Sequence, residues 1–195
     1  NDKVSHEAID YMRFETPEKL WRELDRQCKA EDGCEAIAIP HNSNMGDGKS
    51  FDVEIESDVA LSLRAKYETL IEIHQEKGNS ECLPAFGTTD EDCNFERSLT
   101  KSSVPATPES YSAQEWEKMR RGYVRGLLLR GLLAYDKSGK QKQNPLQMGV
   151  IGSTDGHAGT PGFVEESQWK GSVFGLGNLD RTMTRVNWNP GGLAA

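Results

Sequence analysis

Five side chains at three places along the chain have the types and spacing to bind a divalent cation. The clearest pair follows an apolar run, Met148-Gly-Val-Ile151, that breaks into Gly152-Ser-Thr-Asp155-Gly-His157-Ala-Gly-Thr-Pro161-Gly162. This pattern predicts a buried strand running into a glycine-rich turn. Asp155 and His157 are the side chains of that turn able to hold a divalent ion strongly, and a carboxylate with an imidazole suits Zn, Mn or Fe. The alternative is an Asx-type turn at Asp155 with His157 solvated beside it.

Two further places repeat the theme. His41 stands just after a short apolar run, Ala36-Ile-Ala-Ile39, closed by Pro40. Glu72 and His74 lie within Leu70-Ile-Glu-Ile-His74, where alternation across a strand puts them on one face and Ile71 with Ile73 on the other. Glu72 is then either a metal ligand, a neighbour that supports one, or an edge carboxylate facing water. The loops after these runs carry Asn42, Asn44, Lys77 and Glu81, which are either ordinary turn and surface residues or, in the hydrolase that the resemblance described below implies, candidates to contact substrate or to steady the ligands.

The elements that must position these groups alternate. Thr16-Pro17 offers a helix cap with proline at the first helical position, and Leu20, Trp21, Leu24 and Cys28 recur at helical spacing, predicting a helix from Pro17 to about Ala30. A strand is expected over Ala36–Ile39, and Phe51-Asp-Val-Glu-Ile-Glu56 also alternates like one. Ser57 or Asp58 opens a helix through Tyr67, the second strand of the rim follows at Leu70, and Gln75–Tyr111 reads as a long polar loop. Ser112-Ala-Gln-Glu115 is a capping box for a helix to about Ala134, with Arg120, Arg121, Arg125 and Arg130 expected on its solvated face. The third strand begins at Met148. Strands alternating with helices imply a parallel α/β sheet, whose strand C-termini share one rim. His41, Glu72, His74, Asp155 and His157 would converge there.

Gly48-Lys49-Ser50 suggests a phosphate loop, but Ser43 occupies the position of the required first glycine and no helical pattern follows. The chain has 195 residues, 35% hydrophobic and 28% charged, which fits one globular domain spanning 1–195. Its net charge of −8 disfavours nucleic acid and anionic membrane surfaces as partners. No apolar run reaches membrane-spanning length. Cys28, Cys34, Cys82 and Cys93 lack zinc-site spacing and read as reduced, partly buried thiols, although a Cys82–Cys93 bridge would staple a polar loop in an oxidising compartment.

Three segments together carry a resemblance: Ile39-Pro-His-Asn-Ser-Asn44, Ile71-Glu-Ile-His-Gln75 with Lys77-Gly-Asn-Ser-Glu81, and Ile151-Gly-Ser-Thr-Asp-Gly-His157 through Gly162. They resemble a bacterial family known only as a domain of unknown function, itself similar to the PHP superfamily, named for polymerase and histidinol phosphatase. The resemblance implies a distorted β/α barrel with parallel strands and long loops, in which His41, Asp155 and His157 bind divalent metal ions and Glu72 lies beside them. It further implies hydrolysis of a small anionic substrate, a phosphoester or related ester, by metal-activated water. PHP proteins open with a His-x-His pair, and none of His6, His41, His74 or His157 forms one. The chain thus resembles the C-terminal part of a larger barrel, expected to hold at most one metal loosely and to associate with another copy or with a missing N-terminal segment. A noncatalytic binding domain or an inert piece of such an enzyme are the alternatives.

Overall fold

The computed structural model describes residues 8–10, 12–46, 48–53, 56–75, 78–83, 89–94, 112–138 and 144–155. Helix α1 (Pro17–Gln27) starts where the sequence places it. Thr16 Oγ1 accepts from the Lys19 amide at 3.4 Å, and Pro17 takes a first-turn position that needs no N–H. It ends three residues before the expected Ala30, because Cys28 turns extended and closes a disulfide with Cys34 around a left-handed Gly33. Cys82 and Cys93 are also bridged. The expectation of four reduced thiols is therefore corrected: both pairs are disulfides, and the bridge at Cys28 had no signal in the spacing.

Helix α2 (Asp58–Tyr67) is capped by Ser57, whose hydroxyl accepts from the Ala60 amide at 3.1 Å. It feeds β1 (Leu70–Gln75), the central strand of an open mixed sheet ordered β2-β1-β3. The two-residue β2 (Gly78–Asn79) pairs antiparallel with β1, and β3 (Gly149–Gly152) pairs parallel with it, Leu70 facing Gly149 and Glu72 facing Ile151. A register shift between Glu72 and His74 marks a bulge, which interrupts the strict alternation expected there.

The run at Ala36–Ile39 is corrected too. It is extended and mostly exposed, not a buried strand, yet it lies along β1: the Ala38 amide donates to Tyr67 O at 2.9 Å and the Glu72 amide to Pro40 O at 3.0 Å. The first of these bonds goes to the last residue of α2 and the second to β1 itself. Ala38 and Pro40 turn inward while Ile37, Ile39 and His41 face outward. Phe51–Glu56 is not a strand over its described part; Phe51 closes a short 3-10 turn (Lys49–Phe51), and Phe51 and Val53 are buried in the core with Leu61, Ile71, Leu127 and Leu146.

The single helix expected from Ser112 is two. The capping box is present, with the Glu115 amide donating to Ser112 Oγ and the Ser112 amide to Glu115 Oε2 at 2.8 Å, and it opens α3 (Ala113–Arg120). The chain then breaks before α4 (Val124–Ser138). Its cause is tertiary. The first amides of α4, on Val124 and Arg125, donate to the carbonyls of Ser80 and Glu81, which cap the new helix and pull it out of line. Gly122 sits at the break against the loop after His41, where a Cβ would stand 2.5 Å from Ser43 O. Of the arginines expected on a solvated face, Arg121 reaches Asp52, Arg125 reaches Glu81 and Asp90, and Arg130 donates to Phe51 O.

The fold is thus mixed α/β with a small open sheet, and the described residues show no closed barrel. Among them, no helix is long and apolar enough to cross a membrane.

The buried cation of α2 anchors this packing. Arg64 is 1% exposed, donates to Glu56, to Glu68 and to Ser50 O, and lies 4.7 Å from the Trp21 ring centre and 5.4 Å from that of Phe51. Burial opposes its charge, but the hydrogen bonds and charges of Glu56 and Glu68 outweigh it and raise its pKa. Glu68 is the partner under stress: burial pushes its carboxyl up to about 7, against the pull of Arg64 and with Glu56 adding repulsion. A carboxyl whose folded pKa lies above its unfolded 4.5 contributes most below pH 4.5 and loses that contribution as pH rises through about 7. Glu68→Gln should therefore gain stability relative to the parent between pH 5 and pH 8, by several degrees of Tm. Paired melting curves at those pH values check this, and a parent that gains on the variant instead would mean that the ion pair with Arg64 dominates.

Candidate functional site

The backbone pairings of Glu72 connect the segments that carry His41 and Asp155. The Glu72 amide is bonded to Pro40 O, next to His41, and the residue pairs with Ile151 of β3, four residues before Asp155. His41 thus follows the residue bonded to Glu72, and Asp155 lies beyond the end of β3. Amides three residues apart on a strand point to opposite edges, so the Gly149 bond to Thr69 O and the Pro40 bond to the Glu72 amide flank β1 from its two sides.

The side chains divide differently. Glu72 is buried at 8% exposure; Ser153 Oγ donates to its Oε2, and its Oε1 has no hydrogen-bond partner among the described residues. A buried carboxylate oxygen left so is costly, which is why such atoms normally find a donor, a water or an ion. The reading of Glu72 as a water-facing edge residue does not hold. His41 is exposed at the end of its run. Asn42 and Asp155 both adopt left-handed backbone, φ 53° and 52°, a conformation in which Asn and Asp are enriched and which clusters at ligand sites.

Behind His41 the loop is held rather than loose. Gln75 Nε2 donates to Asn42 Oδ1 at 3.0 Å, and Asn44 is buried with its Oδ1 unpartnered among the described residues, beside a Ser43 hydroxyl in the same state. Asn42 and Asn44, candidates for substrate contact, are in this structure parts of the wall. Glu81 Oε1 accepts from Arg125 Nε at 2.9 Å. His157 and Lys77 lie outside the described residues. Among those described, no group of three or more His, Cys, Asp or Glu stands close enough to hold a metal ion.

A family model described as "Protein of unknown function (DUF3604)" matches residues 1–190. The chain belongs to this family. Its description names no activity, and it carries no link to the PHP superfamily. No curated protein and no solved structure matches the DUF3604 chain significantly.

Sequence reasoning missed Ser153, Gln75 and the Arg64–Glu68 cluster. Ser153 had a signal, since it lies two residues before Asp155 at the strand end that faces Glu72. Arg64 had none: in sequence it is one cation on a charged helix.

Proposed function

We propose that this DUF3604 chain is part of a metal-dependent hydrolase of small anionic esters, its sheet belonging to a PHP-like β/α barrel. The observation that carries the reading is the buried Glu72 carboxylate with Oε1 unpartnered, set between the segments that end in His41 and Asp155. Imidazole and carboxylates are the donors that Zn, Mn or Fe prefer, so the residues present fit such an ion. When bound, a divalent ion supplies hydroxide at neutral pH and offsets charge on the reacting group.

The chain's own residues do the rest. Ser153 Oγ fixes one oxygen of Glu72, leaving the other free to accept. The bulge after Glu72 and the left-handed Asn42 and Asp155 aim the strand ends, and Gln75 holds the Asn42 amide. Ile37, Ile39 and Val150 are exposed apolar side chains, as expected where further elements cover the faces of the sheet.

Elemental analysis tests the reading. The isolated chain should retain a divalent ion, weakly and no more than one, and Asp155→Ala or His157→Ala should lower that content with little change in Tm. Equal metal content in Asp155→Ala and the parent would remove Asp155 from the site.

A further inference from the structure

A cleft of about 380 Å³ opens between the start of α1 and the extended run that ends in His41. One wall is Phe14, Leu20 and Trp21; the other is Ala38, Pro40 and His41. Its size is that of small-ligand sites, and an apolar cavity of roughly 150 Å³ already holds benzene. Burial alone would make it a place for an apolar group.

The charges narrow the occupant. The lining includes the carboxyls of Glu15 and Glu68 and neither lysine nor arginine. Arg64, the nearest buried cation, is committed to Glu56 and Glu68, so its charge is spent behind the wall. A second anion entering here would lose its water and find no free cation in the lining, whereas an uncharged alkyl or aryl group loses little by entering. His41 is the hinge of the arrangement. It ends the segment beside Glu72 and also borders the cleft, so a ligand whose anionic end is at the rim can lay its other end against Trp21.

From this geometry we infer that the cleft is a specificity pocket for the uncharged alkyl or aryl group of a monoanionic ester, with the anionic end directed toward His41. The inference rests on the hydrolase reading for the ester but not for the pocket. Anions that carry a second charge at the far end, such as diphosphates of extended sugars or dicarboxylates, would be disfavoured because the lining offers that charge no cation.

Fluorine NMR of the protein labelled with 5-fluorotryptophan tests it without turnover, since Trp21 is one of four tryptophans and its resonance is assigned with Trp21→Phe. Phenylphosphonate should shift the Trp21 resonance in a saturable way. Methylphosphonate and 4-carboxyphenylphosphonate should need at least about tenfold higher concentration, in keeping with the free energy of a few buried carbons. Ala38→Phe should abolish the phenylphosphonate response, and Leu20→Trp fills the cleft from the opposite wall should the first variant fail to fold. Equal response to phenyl and methyl probes, or an undiminished response in both filled variants, overturns the pocket. Metal content measured on the same samples separates the two ideas: phenyl selectivity without any metal binding supports the pocket and defeats the hydrolase, while bound metal without phenyl selectivity does the reverse.

Discussion

Arg64→Met should destabilise the protein by about 3–5 kcal/mol, lowering Tm by roughly 10 °C, because it strips the cation from between two carboxylates that stay behind. Methionine fills much of the volume but cannot answer Glu68, which is 7% exposed, or Glu56, or the carbonyl of Ser50. The contacts with the Trp21 and Phe51 rings are lost at the same stroke. Arg22→Met is the control, since its pair with Glu18 is half exposed and such pairs contribute about 0 to 1 kcal/mol. Chemical denaturation of both variants measures the difference, and similar midpoints would mean that the buried cluster contributes no more than a surface pair. Through Ser50 the loss should also reach the loop that begins at His41, so the cleft response to phenylphosphonate should weaken in the same variant.

That cluster shows where sequence reading stops. Local signals were strong where a short-range mechanism stood behind them: Thr16 with Pro17, Ser57 before an apolar helix, and the Ser112–Glu115 box each start a helix where expected. The parallel pairing of β1 with β3 follows from an apolar run on either side of a helical stretch. What failed depended on distant partners. The helix after Ser112 is periodic through Tyr123, and only the carbonyls of Ser80 and Glu81, some forty residues earlier, show why it breaks. Ala36–Ile39 looks buried by composition, yet Ile37 and Ile39 are exposed, because the run is fixed by backbone bonds to Tyr67 and Glu72 and borders a cleft instead of entering the core. For the site, the sequence placed Glu72 in a strand but did not give its orientation. Alternation put Glu72 and His74 on one face; the bulge between them breaks that rule, and the hydroxyl that engages Glu72 comes from the far end of β3.

The same carboxylate gives the prediction with the largest effect on the proposed site. Oε1 of Glu72 is buried without a donor among the described residues, so in chelator-treated protein the negative charge is a cost that the fold tolerates. Glu72→Gln keeps the shape and an acceptor for Ser153 Oγ while removing the charge, so the metal-free variant should be as stable as the parent or more so, by up to about 2 kcal/mol. Binding should move the other way. Loss of one anionic group from the ligand shell or its immediate support lowers affinity about 10- to 100-fold, which titration of Mn²⁺ or Zn²⁺ by calorimetry reads directly. The opposed signs are what separate function from structure. A carboxylate retained for packing with Ser153 would make the glutamine variant less stable in chelator and leave metal affinity unchanged, and that pair of results would remove Glu72 from the site.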